Sequence, residues 1–187
     1  MLKLTDIQKK IDFTIQRGTT MHYLCQLEKG AYGIEIDFDV YLPTKKKNLQ
    51  RPLVWKLYQK QELILSVLKG IQLPPIQFIL FTDDTDKTKS ASEKTQVYKI
   101  IDGKQRLSTL FSFVRGEFPI IWEGKEYFIN DLDEWAKRAV THLTLPSDRV
   151  YEYPDAMLTD DQKIAWFEMI NFAGTPQDIK HLENLKS

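Results

Sequence analysis

Residues 97–116 read VYKIIDGKQRLSTLFSFVRG. The apolar run Val97–Ile101 has the composition of a strand, and Asp102-Gly103 is a turn signal that ends it. Leu107, Leu110, Phe111 and Val114 then recur at helical spacing until Gly116 stops the helix. A strand that passes directly into an amphipathic helix commits the chain to a mixed architecture. Upstream, Pro74-Pro75 precedes another short apolar strand, Ile76–Phe81. The polar stretch 82–96 between the two is expected to be a mobile surface loop. Trp55–Lys69 predicts a helix with Leu63, Ile64, Val67 and Leu68 on one face and Gly70 at its stop. Ile34–Leu42 alternates apolar and polar residues with period two, which predicts one half-exposed strand. Nearer the start, Thr5-Asp6 caps a first helix that Gly18 ends, and a second runs from Thr20 to Lys29.

Downstream, Pro119–Trp122 and Tyr127–Ile129 bracket a hairpin at Glu123-Gly124-Lys125. Asn130 or Asp131 caps a helix through Val140, and Thr159 with Gln162 forms a capping box for a helix to about Ile170. Thr175-Pro176 opens the last helix. Strands and helices mix without a regular βαβ rhythm, so the class is α+β.

The chain has 187 residues, with 26 Lys plus Arg against 26 Asp plus Glu, a net charge of zero. That length suits one domain whose core needs no disulfide or metal. The single Cys25 gives neither a disulfide nor a zinc spacing and points to an intracellular protein. No apolar run reaches the ~18 residues of a membrane span, and the N-terminus lacks the apolar centre of a signal peptide. His22, His142 and His181 stand apart, which argues against a hydrolytic metal site built on histidines. Zero net charge argues against indiscriminate coating of a polyanion. It conceals a segregation, however. From Tyr41 to Lys69 seven bases face Glu62 alone, and from Glu117 to Asp161 eleven acids face four bases.

The strongest site candidate is the strand-to-helix turn itself. Free backbone N–H groups at the helix start point toward an approaching anion, and Gly103 lets a phosphate come close to the main chain. Arg106 offers a rigid fork for phosphate oxygens and Lys104 a point charge. Asp102 can hold Mg²⁺ or orient water, and Gln105 can position a water or read a base or ribose edge. The same residues also suit a plain Asp-Gly turn with Asp102 as a helix cap. A second candidate is Asn48–Trp55, where Pro52 holds Arg51 extended just before a helix. A third is the turn Asn171–Pro176, for which a capping role suffices.

In order and spacing these segments form a pattern: Gln50-Arg51-Pro52 with Trp55, Leu68-Lys69-Gly70 with Pro74-Pro75-Ile76, Ile101–Arg106 with Leu107 and Thr109, and Asn171 with Gly174-Thr175-Pro176. From about Ile34 onward the chain resembles the N-terminal domain of GmrSD-type restriction endonucleases, within the ParB/sulfiredoxin-like superfamily. The resemblance implies a small mixed sheet packed with several helices. The expectation is a single domain over residues 1–187, with residues 1–30 a helical N-terminal extension read from the caps and periodicity there. Family members bind nucleoside triphosphates at a D-G-Q-Q-R segment, and some hydrolyse them to control a nuclease. The implied ligand is therefore an NTP with Mg²⁺, and the implied activity NTP hydrolysis in phage defence or restriction of modified DNA.

Asp102, Gln105 and Arg106 carry the implied catalytic roles, with Asp102 as the Mg²⁺ ligand. Arg51, Gly103, Lys104, Arg106 and Thr109 are the implied phosphate contacts. Lys104 stands where the family pattern has its first Gln and adds a positive charge. The family's HNH-type nuclease domain has no counterpart here, so the expectation is a free-standing cytoplasmic domain, bacterial or phage-encoded, that does not cut DNA alone. It would work with a separate nuclease subunit. The competing expectation is a non-catalytic DNA-binding or adaptor module using Lys45, Lys46, Lys47 and Lys56.

Overall fold

The computed structural model describes residues 13–20, 22–83, 85–86, 88, 90 and 94–172. In chain order the elements are β1 (Gln16–Thr19), α1 (Leu24–Glu28), β2 (Ile34–Asp37), β3 (Tyr41–Leu42), β4 (Lys47–Asn48) and α2 (Leu57–Leu68). Then come β5 (Ile76–Thr82), β6 (Gln96–Asp102), α3 (Lys104–Val114), β7 (Ile120–Trp122) and β8 (Lys125–Tyr127). The last are α4 (Glu134–Thr141), β9 (Pro146–Glu152) and α5 (Asp160–Phe172). The fold is α+β, a five-stranded mixed sheet in the order β1-β9-β5-β6-β2. β1 runs antiparallel to β9, β9 parallel to β5, β5 antiparallel to β6, and β6 parallel to β2.

The two central strands read as continuous apolar runs because both of their faces are covered. Phe78, Leu80, Tyr98 and Ile100 enter a core shared with Leu24, Ile64, Leu110 and Val140 of α1 to α4. Ile79 and Ile101 enter a second core with Val150, Ile164, Trp166 and Phe167, under α5. Phe78 and Tyr98 stack at 4.5 Å in the first core. Thr82 and Gln96 are the last pair of the β5–β6 ladder, so the polar loop expected over 82–96 begins and ends inside strands.

Several expectations are corrected. The alternating stretch Ile34–Leu42 is not one strand. Asp37 Oδ1 accepts from the N–H groups of Asp39 and Val40, both at 2.9 Å, and this turn ends β2. Gly18 ends no helix. It lies inside β1 opposite Ser147, with Arg149 Nη2 3.1 Å from where a Cβ would stand. Residues 1–30 are therefore not helical throughout. The Thr5-Asp6 start lies outside the described residues, as does the helix at Thr175-Pro176. The helix expected over Thr20–Lys29 shrinks to α1. Asp133, not Asn130 or Asp131, caps α4, its Oδ1 accepting from Ala136 N at 2.8 Å. Thr159 and Gln162 do form the capping box of α5, at 2.8 and 3.2 Å.

Candidate phosphate-binding site

The ladder between β5 and β6 slips just before the turn: Gln77 pairs with Asp102 and Phe78 with Ile100, leaving Ile101 without a counterpart. Such a bulge bends the strand and re-aims the residue after it. Gln50 Nε2 donates to the carbonyls of Ile100 at 2.9 Å and Ile101 at 2.6 Å, tying the segment before α2 to the bulge. Gly103 follows with φ of 100°, and α3 starts there without a side-chain cap. A Cβ at Gly103 would sit 2.7 Å from Ile76 Cγ2, so glycine is required both by conformation and by space. The first intrahelical bond runs from Leu107 N to Gly103 O at 2.8 Å, and the N–H groups before it have no partner within the helix.

A cavity of about 270 Å³ opens over this helix start. One wall is Gln50, Arg51 and Trp55, the floor is Asp102 to Arg106, and Phe167 and Asn171 of α5 close the far side. The first two segments singled out in the sequence therefore meet here, together with Asn171, the first residue of the third. That volume lies just under the roughly 300 Å³ where small-ligand pockets begin. A nucleotide would have to extend past the mouth.

The charged groups here are unequally free. Arg106 Nη2 donates to Asp102 Oδ2 at 2.6 Å and to Pro75 O at 3.1 Å, and Nη1 donates to Pro74 O. Lys104 Nζ lies 2.6 Å from Asp39 Oδ1. Both polar atoms of the Gln105 amide are engaged: Oε1 accepts from Val54 N at 3.1 Å and Trp55 N at 3.2 Å, and Nε2 donates to Pro52 O at 3.0 Å. Among the described residues Arg51 makes no ion pair or hydrogen bond, and it is half-buried in the cavity wall. Two of the three cations are thus neutralised by carboxylates. The uncompensated positive potential comes from Arg51 and the open N-terminus of α3.

Thr109 does not reach the cavity; it is buried one turn further along α3. Lys45, Lys46 and Lys47 sit on the β3–β4 hairpin and Lys56 at the start of α2, all outside the cavity lining. Lys45 Nζ is 3.7 Å from Asp161. Sequence reasoning passed over Trp55 and Phe167 as walls, Asp39 as the partner of Lys104, and Pro74 and Pro75 as acceptors for Arg106. Only Trp55 and the two prolines carried a signal, by lying in the recurrent segments.

Asp102 is the one carboxylate lining the cavity, and its Oδ1 has no partner among the described residues. Among those residues no cluster of three or more His, Cys, Asp or Glu is placed to hold a metal. A single carboxylate oxygen, Asp102 Oδ1, is thus what the described lining offers a cation, which suits only an ion carried largely by other ligands. No helix of the described residues is long and apolar enough to cross a membrane.

No curated protein and no solved structure matches the chain significantly. Residues 42–184 match the family described as GmrSD restriction endonuclease, N-terminal domain. That span runs from the β3–β4 hairpin through every wall of the cavity, and the chain belongs to this family of restriction-endonuclease N-terminal domains.

Proposed function

We propose that this domain binds a nucleoside triphosphate at the α3 N-terminus and uses its occupancy in restriction of phage or modified DNA. The observation that carries this reading is the convergence on one cavity of Arg51, unpaired among the described residues, uncapped α3 and Gly103. Phosphate oxygens would be met by main-chain N–H groups and by the Arg51 fork. Trp55 and Phe167 supply flat apolar walls for a base or sugar. Gln105 and Arg106 act as positioning residues, since their polar atoms hold the 52–55 segment and the Pro74-Pro75 turn. When bound, Mg²⁺ would neutralise phosphate charge; the free Oδ1 of Asp102 is the atom to hold it or to orient water for hydrolysis.

Calorimetric titration with the four NTPs, with and without Mg²⁺, tests this. Arg51→Ala should weaken binding about tenfold or more, as for loss of a charge-assisted contact, with an unchanged melting temperature. No binding of any NTP, or equal binding by the variant, overturns the assignment. The alternative DNA-binding module is supported by the exposed Lys46 and Tyr41 on the β3–β4 hairpin. It calls for DNA affinity that falls with salt and ignores Arg51→Ala. A partner nuclease belongs to the same proposal, because the family is described as a restriction-endonuclease N-terminal domain.

A further inference from the structure

A cavity larger than the phosphate site lies elsewhere on the molecule. A groove of about 520 Å³ runs between the C-terminal half of α2, the β7–β8 ribbon and the start of α4. Leu65 and Leu68 form one wall, and Ile120, Trp122 and Tyr127 the other. Ile120 pairs with Tyr127 and Trp122 with Lys125, which puts these three apolar side chains on one face of the ribbon. Leu132 and Ala136 complete the lining. Trp122 is 50% exposed and, beside the groove on α4, Trp135 is 79% exposed. Two tryptophans held in water next to an apolar trough are a poor use of surface unless something covers them.

The rim states what the cover must look like. Asp131 and Asp133 line the groove, and the exposed Glu134 follows. Asp131 Oδ2 is taken by Phe128 N at 2.9 Å and Asp133 Oδ1 by Ala136 N at 2.8 Å, so each carboxylate keeps one oxygen outward. In the lining the carboxylates of Asp131 and Asp133 stand against one base, Lys69, and the exposed Glu134 adds a third acid next to them. We infer that the groove receives an amphipathic helix of a partner protein, apolar on the inserted face and Lys/Arg-rich along its flanks. The walls are side chains from two helices and a ribbon, which is the geometry of helix-in-groove recognition. The acidic rim selects for basic flanks and steers their approach.

The full chain is titrated with a synthetic Leu/Lys amphipathic helical peptide, its Leu/Glu counterpart and a scrambled Leu/Lys peptide, reading tryptophan fluorescence and calorimetry. The Leu/Lys helix should bind with a blue shift of tryptophan emission and weaken with salt. Trp122→Ala should reduce affinity about tenfold or more at an unchanged melting temperature, since that side chain is half exposed. Asp131→Asn with Asp133→Asn keeps the caps and should flatten the salt dependence. Equal binding of the Leu/Glu or scrambled peptide overturns the proposal, as does no binding or indifference to Trp122→Ala. Concentration-dependent dimerisation abolished by Trp122→Ala would overturn it too, assigning the groove to a second copy. Because none of these readouts involves a nucleotide, failure here is separable from failure of the phosphate site.

Discussion

Gln105 and Arg106 are adjacent on α3, and both look at first like groups that touch substrate. Their polar atoms are instead engaged within the protein: Gln105 on the main chain of residues 52–55, Arg106 on the carbonyls of Pro74 and Pro75 and on the carboxylate of Asp102. Arg51, one residue before a proline, is the cation left over. A different single residue, Tyr98, carries a pH dependence at the alkaline end. Burial pushes the Tyr98 hydroxyl from its ordinary 10.0 up to about 12; the Arg149 charge pulls against this and Tyr151 adds to it. The hydroxyl is sealed in the core without a partner. Because the folded value is higher, the unfolded chain releases this proton first as pH rises. The stability linked to Tyr98 is full below pH 10 and is lost as pH climbs toward 12. Tyr98→Phe should flatten that loss in denaturant titrations across this window. At neutral pH it should change stability by less than about 1 kcal/mol, because the buried hydroxyl makes no bond to lose.

At the scale of elements, the turn from β6 into α3 couples fold to function. The bulge at Ile101, the positive φ of Gly103 and the uncapped helix start occur within three residues. Gly103→Ala must force a Cβ against Ile76, itself locked in the core, and hold alanine at a φ of 100°. The expected cost is about 1–3 kcal/mol, measured by urea unfolding. NTP affinity should drop with it, because the same N–H groups shift. The β7–β8 hairpin shows the opposite case, an element specified locally. Glu123 and Gly124 have φ of 50° and 75°, so the strands close through a two-residue turn and β8 starts at Lys125, two residues before the expected Tyr127.

At the scale of the molecule, β9 joins the N-terminal strand to the centre of the sheet, and one buried charge fastens it. Glu152 is fully buried. Its Oε2 is 2.6 Å from Lys99 Nζ on β6, and its Oε1 accepts from Leu158 N at 2.9 Å and lies 3.6 Å from Lys163 Nζ on α5. Three elements meet on one carboxylate. Glu152→Ala strands two poorly exposed ammonium groups and should cost about 3–5 kcal/mol in chemical denaturation. Pairing it with Lys163→Met should recover part of the loss, since one of the two orphaned charges is then gone.

Local chemistry in the chain determined β5, β6, α2, α3, the hairpin and the capping box of α5, because each carries its own periodicity, turn residues or caps. It also singled out Asn48–Trp55 and Ile100–Thr109, which the fold brings to one cavity beside Asn171. It could not reveal β9, whose buried positions Ser147 and Glu152 are polar and acquire partners or cover only from distant strands and α5. Nor could it show that Ile34–Leu42 breaks at Asp37, where a side-chain turn overrides an alternating pattern. Above all, tertiary structure decided which cations are free. A lysine or arginine reads the same in any sequence, but its charge is available only if no carboxylate or carbonyl folds against it. Here that distinction separates Arg51 from Lys104 and Arg106.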